Sequence, residues 1–182
     1  DEIEFIENNS DIIGVVPILD KFLPKRLDDT PYYVMPLGIS IEKKLKGESV
    51  QKKIEAILQV GETLSELHGR KVYHRDIKPN NIIYYNSRFS LIDFGLVDYP
   101  NKEDISQLNE VIGPMWTMAP EMRRTSSNAE NSKADVYSLA KTLWIILTES
   151  DKGFDGQYHS DSIISLKQFH PEIYLLQLDD LI

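Results

Sequence analysis

His74-Arg75-Asp76-Ile77-Lys78-Pro79-Asn80-Asn81, followed after a short apolar interval by Asp93-Phe94-Gly95, decides how the rest of this sequence is read. Between the two stretches lie Ile82-Ile83-Tyr84-Tyr85 and Phe89-Ser90-Leu91-Ile92, separated by the turn-forming Asn86-Ser87-Arg88. Two apolar runs around such a turn predict a β-hairpin. The hairpin folds Asp93 back beside Asn81. Oxygen ligands at its two mouths suit Mg²⁺, a hard cation that prefers oxygen and keeps company with phosphates. Asp76 is left to orient a hydroxyl and accept its proton, and Lys78 to neutralise charge on a phosphoryl group.

The order H-R-D-x-x-x-x-N, then D-F-G, then Ala119-Pro120-Glu121 closing the following segment, resembles the protein kinase catalytic domain. The lysine two residues after Asp76 is similar to the serine/threonine-specific branch. The resemblance implies an α+β fold with a mostly helical C-lobe and, here, a partial N-lobe β-sheet. It places residues 1–37 in the partial N-lobe and residues 38–182 in the hinge and C-lobe. It also implies ATP and Mg²⁺ as cofactors and a protein substrate as partner.

Composition sets outer bounds. The chain has 182 residues, enough for one domain with a core; 41% are hydrophobic and 27% charged, ordinary values for a globular protein. A net charge of −9 does not suggest a nucleic-acid or anionic-membrane surface. The absence of cysteine excludes disulfides and thiolate metal sites. No apolar run approaches the roughly 20 residues needed to span a bilayer. A cytoplasmic location is the expectation.

Along the chain, residues 1–9 read as a helix with Ile3 and Ile6 on its apolar stripe and Phe5 beside it. By resemblance this is the end of the N-lobe helix, with Glu2 as partner of the ATP-positioning lysine; a solvated helix glutamate is the other reading. Residues 13–22 and 32–37 read as strands. Met35 then falls at the gatekeeper place, and Pro36-Leu37-Gly38 form the hinge. The resemblance gives the Pro36 carbonyl and the Gly38 N–H to the adenine edge, with Ile83 as the aliphatic floor under the ring. Ser40 to Lys46 predicts a short helix, and Ser49 caps a longer one whose apolar positions are Ile54, Ile57, Leu58, Gly61, Leu64 and Leu67. His68 at its end reads as a packing histidine. Residues 123–134 read as a polar loop, and Asp135 opens a strongly apolar helix running through Leu147.

Within the motifs, the resemblance makes Asp76 and Lys78 catalytic, and Asn81 and Asp93 metal ligands. His74 and Phe94 become structural members of an apolar column completed by Ile6, Ile18 and Asp135. Asp135, a carboxylate at a helix N-terminus, is expected to accept N–H bonds from the catalytic loop. Glu121 is structural. Arg75 reads as a switch that pairs with a phosphate on the activation segment, with Ser106 as the better phosphosite and Thr117 as a structural hydroxyl.

Two departures stand out. Gly113-Pro114-Met115-Trp116-Thr117 replaces the usual Gly-Thr-x-x-Tyr, so the threonine that normally bonds the catalytic aspartate and lysine is missing. No glycine cluster or ATP-binding lysine precedes Gly38 either. These departures favour a runner-up reading, a pseudokinase or scaffold that binds partners without turnover. They also give the expectation of an incomplete catalytic domain, inactive and weak in ATP binding by itself.

Overall fold

The computed structural model describes residues 2–24, 30–99, 116–120, 131–156 and 158–171. In chain order they form α1 (Glu2–Asn8), β1 (Asp20–Phe22), β2 (Tyr32–Val34), β3 (Ile39–Ser40), α2 (Ile41–Leu45) and α3 (Val50–Gly69). A 3₁₀ turn at Pro79–Asn81 leads to β4 (Ile82–Tyr85) and β5 (Arg88–Leu91), followed by α4 (Asn131–Thr148) and α5 (Leu166–Phe169). β1 and β2 make an antiparallel ribbon, and β3, β4 and β5 make a second antiparallel sheet in that order. This is the mixed α+β arrangement expected from the sequence. No helix among the described residues is long and apolar enough to cross a membrane.

The predicted hairpin is present, with Ile82 opposite Leu91 and Tyr85 opposite Arg88. Its two-residue turn, Asn86-Ser87, has φ of +47° and +62°, the pair of left-handed residues that matches the twist of the flanking strands. The expected strand over 13–22 shrinks to β1. Pro17 has no N–H for a ladder, and Gly14 at φ +106° turns the backbone, so Val15 makes only an isolated parallel bridge to Leu91. Similarly the strand expected over 32–37 ends at Val34, just ahead of Pro36.

Ser40 and Ser49 cap α2 and α3 through their side-chain oxygens, which accept from the N–H groups of Lys43 and Lys52. The buried face of α3 is Ala56, Ile57, Val60, Leu64 and Leu67, joined by Lys53 and Thr63. Leu58, read as part of that stripe, instead lies 61% exposed. It stands one residue beyond Ile57, about 100° round the helix, and so leaves the stripe that Val60 completes. α4 begins at Asn131, inside the stretch read as loop, and buries every residue from Lys141 to Leu147. Trp144 anchors the far side, its indole N–H donating to the Ile164 carbonyl at 2.8 Å and its ring meeting Phe154 edge-on.

One buried cation ties α3 to the end of α4. Lys53 Nζ, with its side chain 4% exposed, meets Glu149 Oε1 at 2.7 Å, and the same oxygen accepts the Gly47 N–H at 2.8 Å. The Lys53 hydrogen bond, helped by that of Gly47, holds the Glu149 carboxyl below the usual carboxylate range. Its stabilising contribution is therefore present above that range and is lost as pH falls through the lowered value. Glu149→Ala is expected to cost about 1–3 kcal/mol at neutral pH, the penalty for leaving buried donors without an acceptor, and less than for a fully buried pair because the Glu149 side chain is 40% exposed. Thermal unfolding of both proteins checks this, and the gap between them should narrow in acid.

Candidate active site

The backbone of the loop at His74 and Arg75 hangs from one carboxylate. Asp135 is fully buried; its Oδ2 accepts the His74 N–H at 2.8 Å and the His68 Nε2–H at 2.9 Å, and its Oδ1 accepts the Arg75 N–H at 2.8 Å. Because α4 starts at Asn131, Asp135 lies in the second turn of the helix and not at its N-terminus. It therefore acts as a side-chain acceptor and owes little to the helix dipole, which fades beyond the first turn. His68, read as a packing residue, is one of the three donors. Arg75 adopts φ +65°, a left-handed conformation disfavoured for a residue with a Cβ, and its bonded N–H helps hold it there.

Asp76, only 4% exposed, is held on one side. Its Oδ2 accepts from Lys78 Nζ at 2.8 Å and from Asn81 Nδ2 at 2.8 Å, and Asn81 Nδ2 also donates to the Asp76 carbonyl at 2.9 Å. Oδ1 is buried and has no partner among the described residues. A buried acceptor without a donor is costly unless something else is meant to approach it. Lys78 and Asn81 thus orient Asp76, the task for which the sequence offered no threonine. Pro114 itself lies outside the described residues, as do Ser106 and Glu121. Thr117 is buried, with a hydroxyl that has no partner among the described residues.

The hairpin brings the second carboxylate back. The Ile92 N–H donates to the Asn81 carbonyl at 3.0 Å, extending the β4–β5 ladder past its last pair and setting the backbone of Asp93 next to that of Asn81. Asp93 is exposed, at φ +63°, with Oδ1 accepting the Gly95 N–H at 3.4 Å. Among the described residues no group of three or more His, Cys, Asp or Glu side chains gathers to hold a metal. A carboxylate and a carboxamide beside a carboxylate-lined loop are the hard oxygen donors that suit Mg²⁺, which takes few protein ligands when phosphates supply the others.

Phe94 and His74 are both fully buried, their rings 4.8 Å apart. Burial lowers the His74 imidazole from its ordinary range, and its Nε2–H donates to the Ile92 carbonyl at 3.3 Å. From α1, Phe5 packs its ring 5.0 Å from that of Phe94, a contact the sequence reading gave to Ile6 alone; Ile6 is buried next to it and Ile18 packs on the same core. Glu2, given a lysine partner by resemblance, here accepts the Phe94 N–H at 2.9 Å and the Tyr33 O–H at 3.0 Å through Oε1. Burial and the Glu2 carboxylate push the Tyr33 phenol well above its usual range, which keeps it a donor. Nothing in the sequence marked Tyr33, since an aromatic in an apolar strand reads as packing.

At the hinge, Pro36 and Gly38 are half-buried and Ile83 is buried. A Cβ at Gly38 would stand 2.6 Å from Ile83 Cδ1, so the glycine is what lets the hinge backbone lie directly on that side chain.

The family described as Protein kinase domain matches residues 35–177. Serine/threonine-protein kinase PknE of Mycobacterium tuberculosis is 32% identical over 142 residues, which is 75% of this chain and 24% of that protein. PknH of Mycobacterium bovis is 32% identical over 132 residues, 72% of this chain and 21% of that protein. A putative serine/threonine-protein kinase of Acanthamoeba polyphaga mimivirus is 30% identical over 120 residues, 66% of this chain and 43% of that protein. The chain spans about a quarter of the length of the bacterial relatives and less than half of the viral one. With its catalytic-loop aspartate clamped, its Asp-Phe-Gly segment docked on α1 and most of its length matched, the chain belongs to the protein kinase family, in the eukaryotic-like serine/threonine form.

Proposed function

We propose that the protein carrying this domain transfers the γ-phosphoryl group of ATP to serine or threonine hydroxyls of proteins. The observation that supports this most is the two-sided environment of Asp76: Oδ2 clamped by Lys78 and Asn81, and Oδ1 buried with no partner among the described residues. Mg·ATP supplies the phosphoryl group and the neutralising cation when bound. Asp76 Oδ1 accepts the hydrogen bond of the incoming hydroxyl, aligns its oxygen and takes up its proton as that oxygen attacks. Lys78, whose side chain is 28% exposed, reaches toward the transferring group and offsets its charge.

Asn81 and Asp93 hold the cation, through the carboxamide oxygen that faces away from the Asp76 bonds and through the exposed carboxylate. The Pro36 carbonyl and the Gly38 N–H take the adenine edge over Ile83. In this reading residues 1–37 belong to the small lobe and residues 38–182 to the hinge and large lobe. Arg75, with a buried Nε that has no partner among the described residues, receives a phosphate carried on the activation segment at Ser106.

Asp76→Asn keeps the shape and the bond to Lys78 but removes the base. Phosphotransfer to a serine- or threonine-containing protein is expected to fall about 10²- to 10⁴-fold in kcat. Equal signal from wild type and variant would replace catalysis with the partner-binding reading. A phosphopeptide map of active protein is expected to show phosphate at Ser106, and a map without phosphate between residues 96 and 118 would remove Arg75 from the scheme.

A further inference from the structure

The ribbon of β1 and β2 is joined to α1 by polar contacts on one face. Lys21 and Tyr33 are cross-strand partners, so their side chains leave the same face of the ribbon. Lys21 Nζ bonds both carboxylate oxygens of Glu7, at 2.7 and 2.6 Å, and Tyr33 bonds Glu2. Glu2 and Glu7 stand at opposite ends of α1. Between these contacts the helix and the ribbon are parted by an open cleft of about 590 Å³ lined by Ile3, Glu4, Leu23 and Tyr32 among others. These two bonds, together with the Tyr33 ring packed on the core that holds Phe5 and Ile6, set where the ribbon sits on the helix.

Glu2 is the member with a second commitment. The oxygen that receives the Tyr33 hydroxyl also receives the Phe94 N–H, and a Cβ on Gly95 would lie 4.0 Å from the other carboxylate oxygen. Asp93, directly before Phe94, is strained at φ +63°. A residue in that conformation stays there only while its neighbours hold it.

We propose that Tyr33 is a positioning residue for the Asp93-Phe94-Gly95 segment: its hydroxyl fixes the Glu2 carboxylate, and Glu2 fixes the Phe94 amide. The consequence for phosphotransfer rests on the role proposed above for Asp93; the tether itself does not. Removing the hydroxyl leaves Glu2 with a rotamer choice it does not now have, and Asp93 loses its fixed direction.

Tyr33→Phe deletes only that oxygen. By hydrogen–deuterium exchange of the full chain, the Phe94 amide should exchange roughly tenfold faster than in wild type, while α3 amides keep their rates. Tyr32→Phe, on the other face, should change neither. Glu2→Leu, which keeps the Tyr33 ring in place and removes the acceptor, should also speed Phe94 and serves as the deciding variant if Tyr33→Phe fails to fold. Unchanged Phe94 exchange in Tyr33→Phe, or in Glu2→Leu, overturns the proposal. In a phosphotransfer assay Tyr33→Phe should lower kcat several-fold with the KM for the protein substrate unmoved. If wild type transfers no phosphate, the reading of the previous subsection falls while the exchange result still decides the tether.

Discussion

Three N–H groups converge on Asp135, and through them the central helix of the core dictates the path of the loop that carries Asp76. Two of the three are main-chain donors of consecutive residues, which would otherwise be buried without acceptors as the chain leaves Tyr73. The side chain that accepts them stands on a helix whose next turns are solid with Leu143, Trp144, Ile145 and Ile146. The position of the loop is thus inherited from close packing several residues away. A rigid post and a fixed bracket explain how the Arg75 backbone stays in a conformation it would not choose.

From that bracket the order passes outward. Asp76 is clamped by Asn81, Asn81 is laddered to Ile92, and the backbone then turns through Asp93 into the buried ring of Phe94. Two non-glycine residues with left-handed backbone, Arg75 and Asp93, stand at the start and the end of this path. Each is followed or accompanied by an amide pinned to a carboxylate: Asp135 for the first, Glu2 for the second. The same solution appears twice, once from the large helical body and once from the short helix at the chain's beginning. Small deviations at either carboxylate would be felt at Asp76 and Asp93 together.

Much of this was legible in the residues. The hairpin between Asn81 and Asp93 could be read because apolar runs and a turn signal have a local grammar, and its length forces its ends together. Asp135 as acceptor was read through resemblance, though its place in the helix was not, because Asn131-Ser132-Lys133 carries no apolar periodicity to announce a helix start. Tyr33, Phe5 and the Lys53–Glu149 pair were invisible for a different reason. Each depends on elements far apart in sequence meeting at a particular angle, and a tyrosine in a strand or a lysine in a helix looks the same whether or not it finds a partner. Pro17 shows the converse: one residue type with an absolute rule shortened a strand that the apolar pattern alone would have extended.

The turn at Asn86-Ser87 lies at the far end of the hairpin from Asn81 and Asp93, yet both of its residues sit on the uncommon side of φ. Strand pairing has period two, so a one-residue slip of β5 against β4 would swap which side chains face inward. That slide would carry Asp93 out of line with Asn81 without touching either residue. The alignment of Asn81 with Asp93 is in effect calibrated from a surface loop. Sequence drift at that tip is therefore limited by loop length as well as by residue type, and a one-residue insertion there acts on Asn81 and Asp93 at a distance.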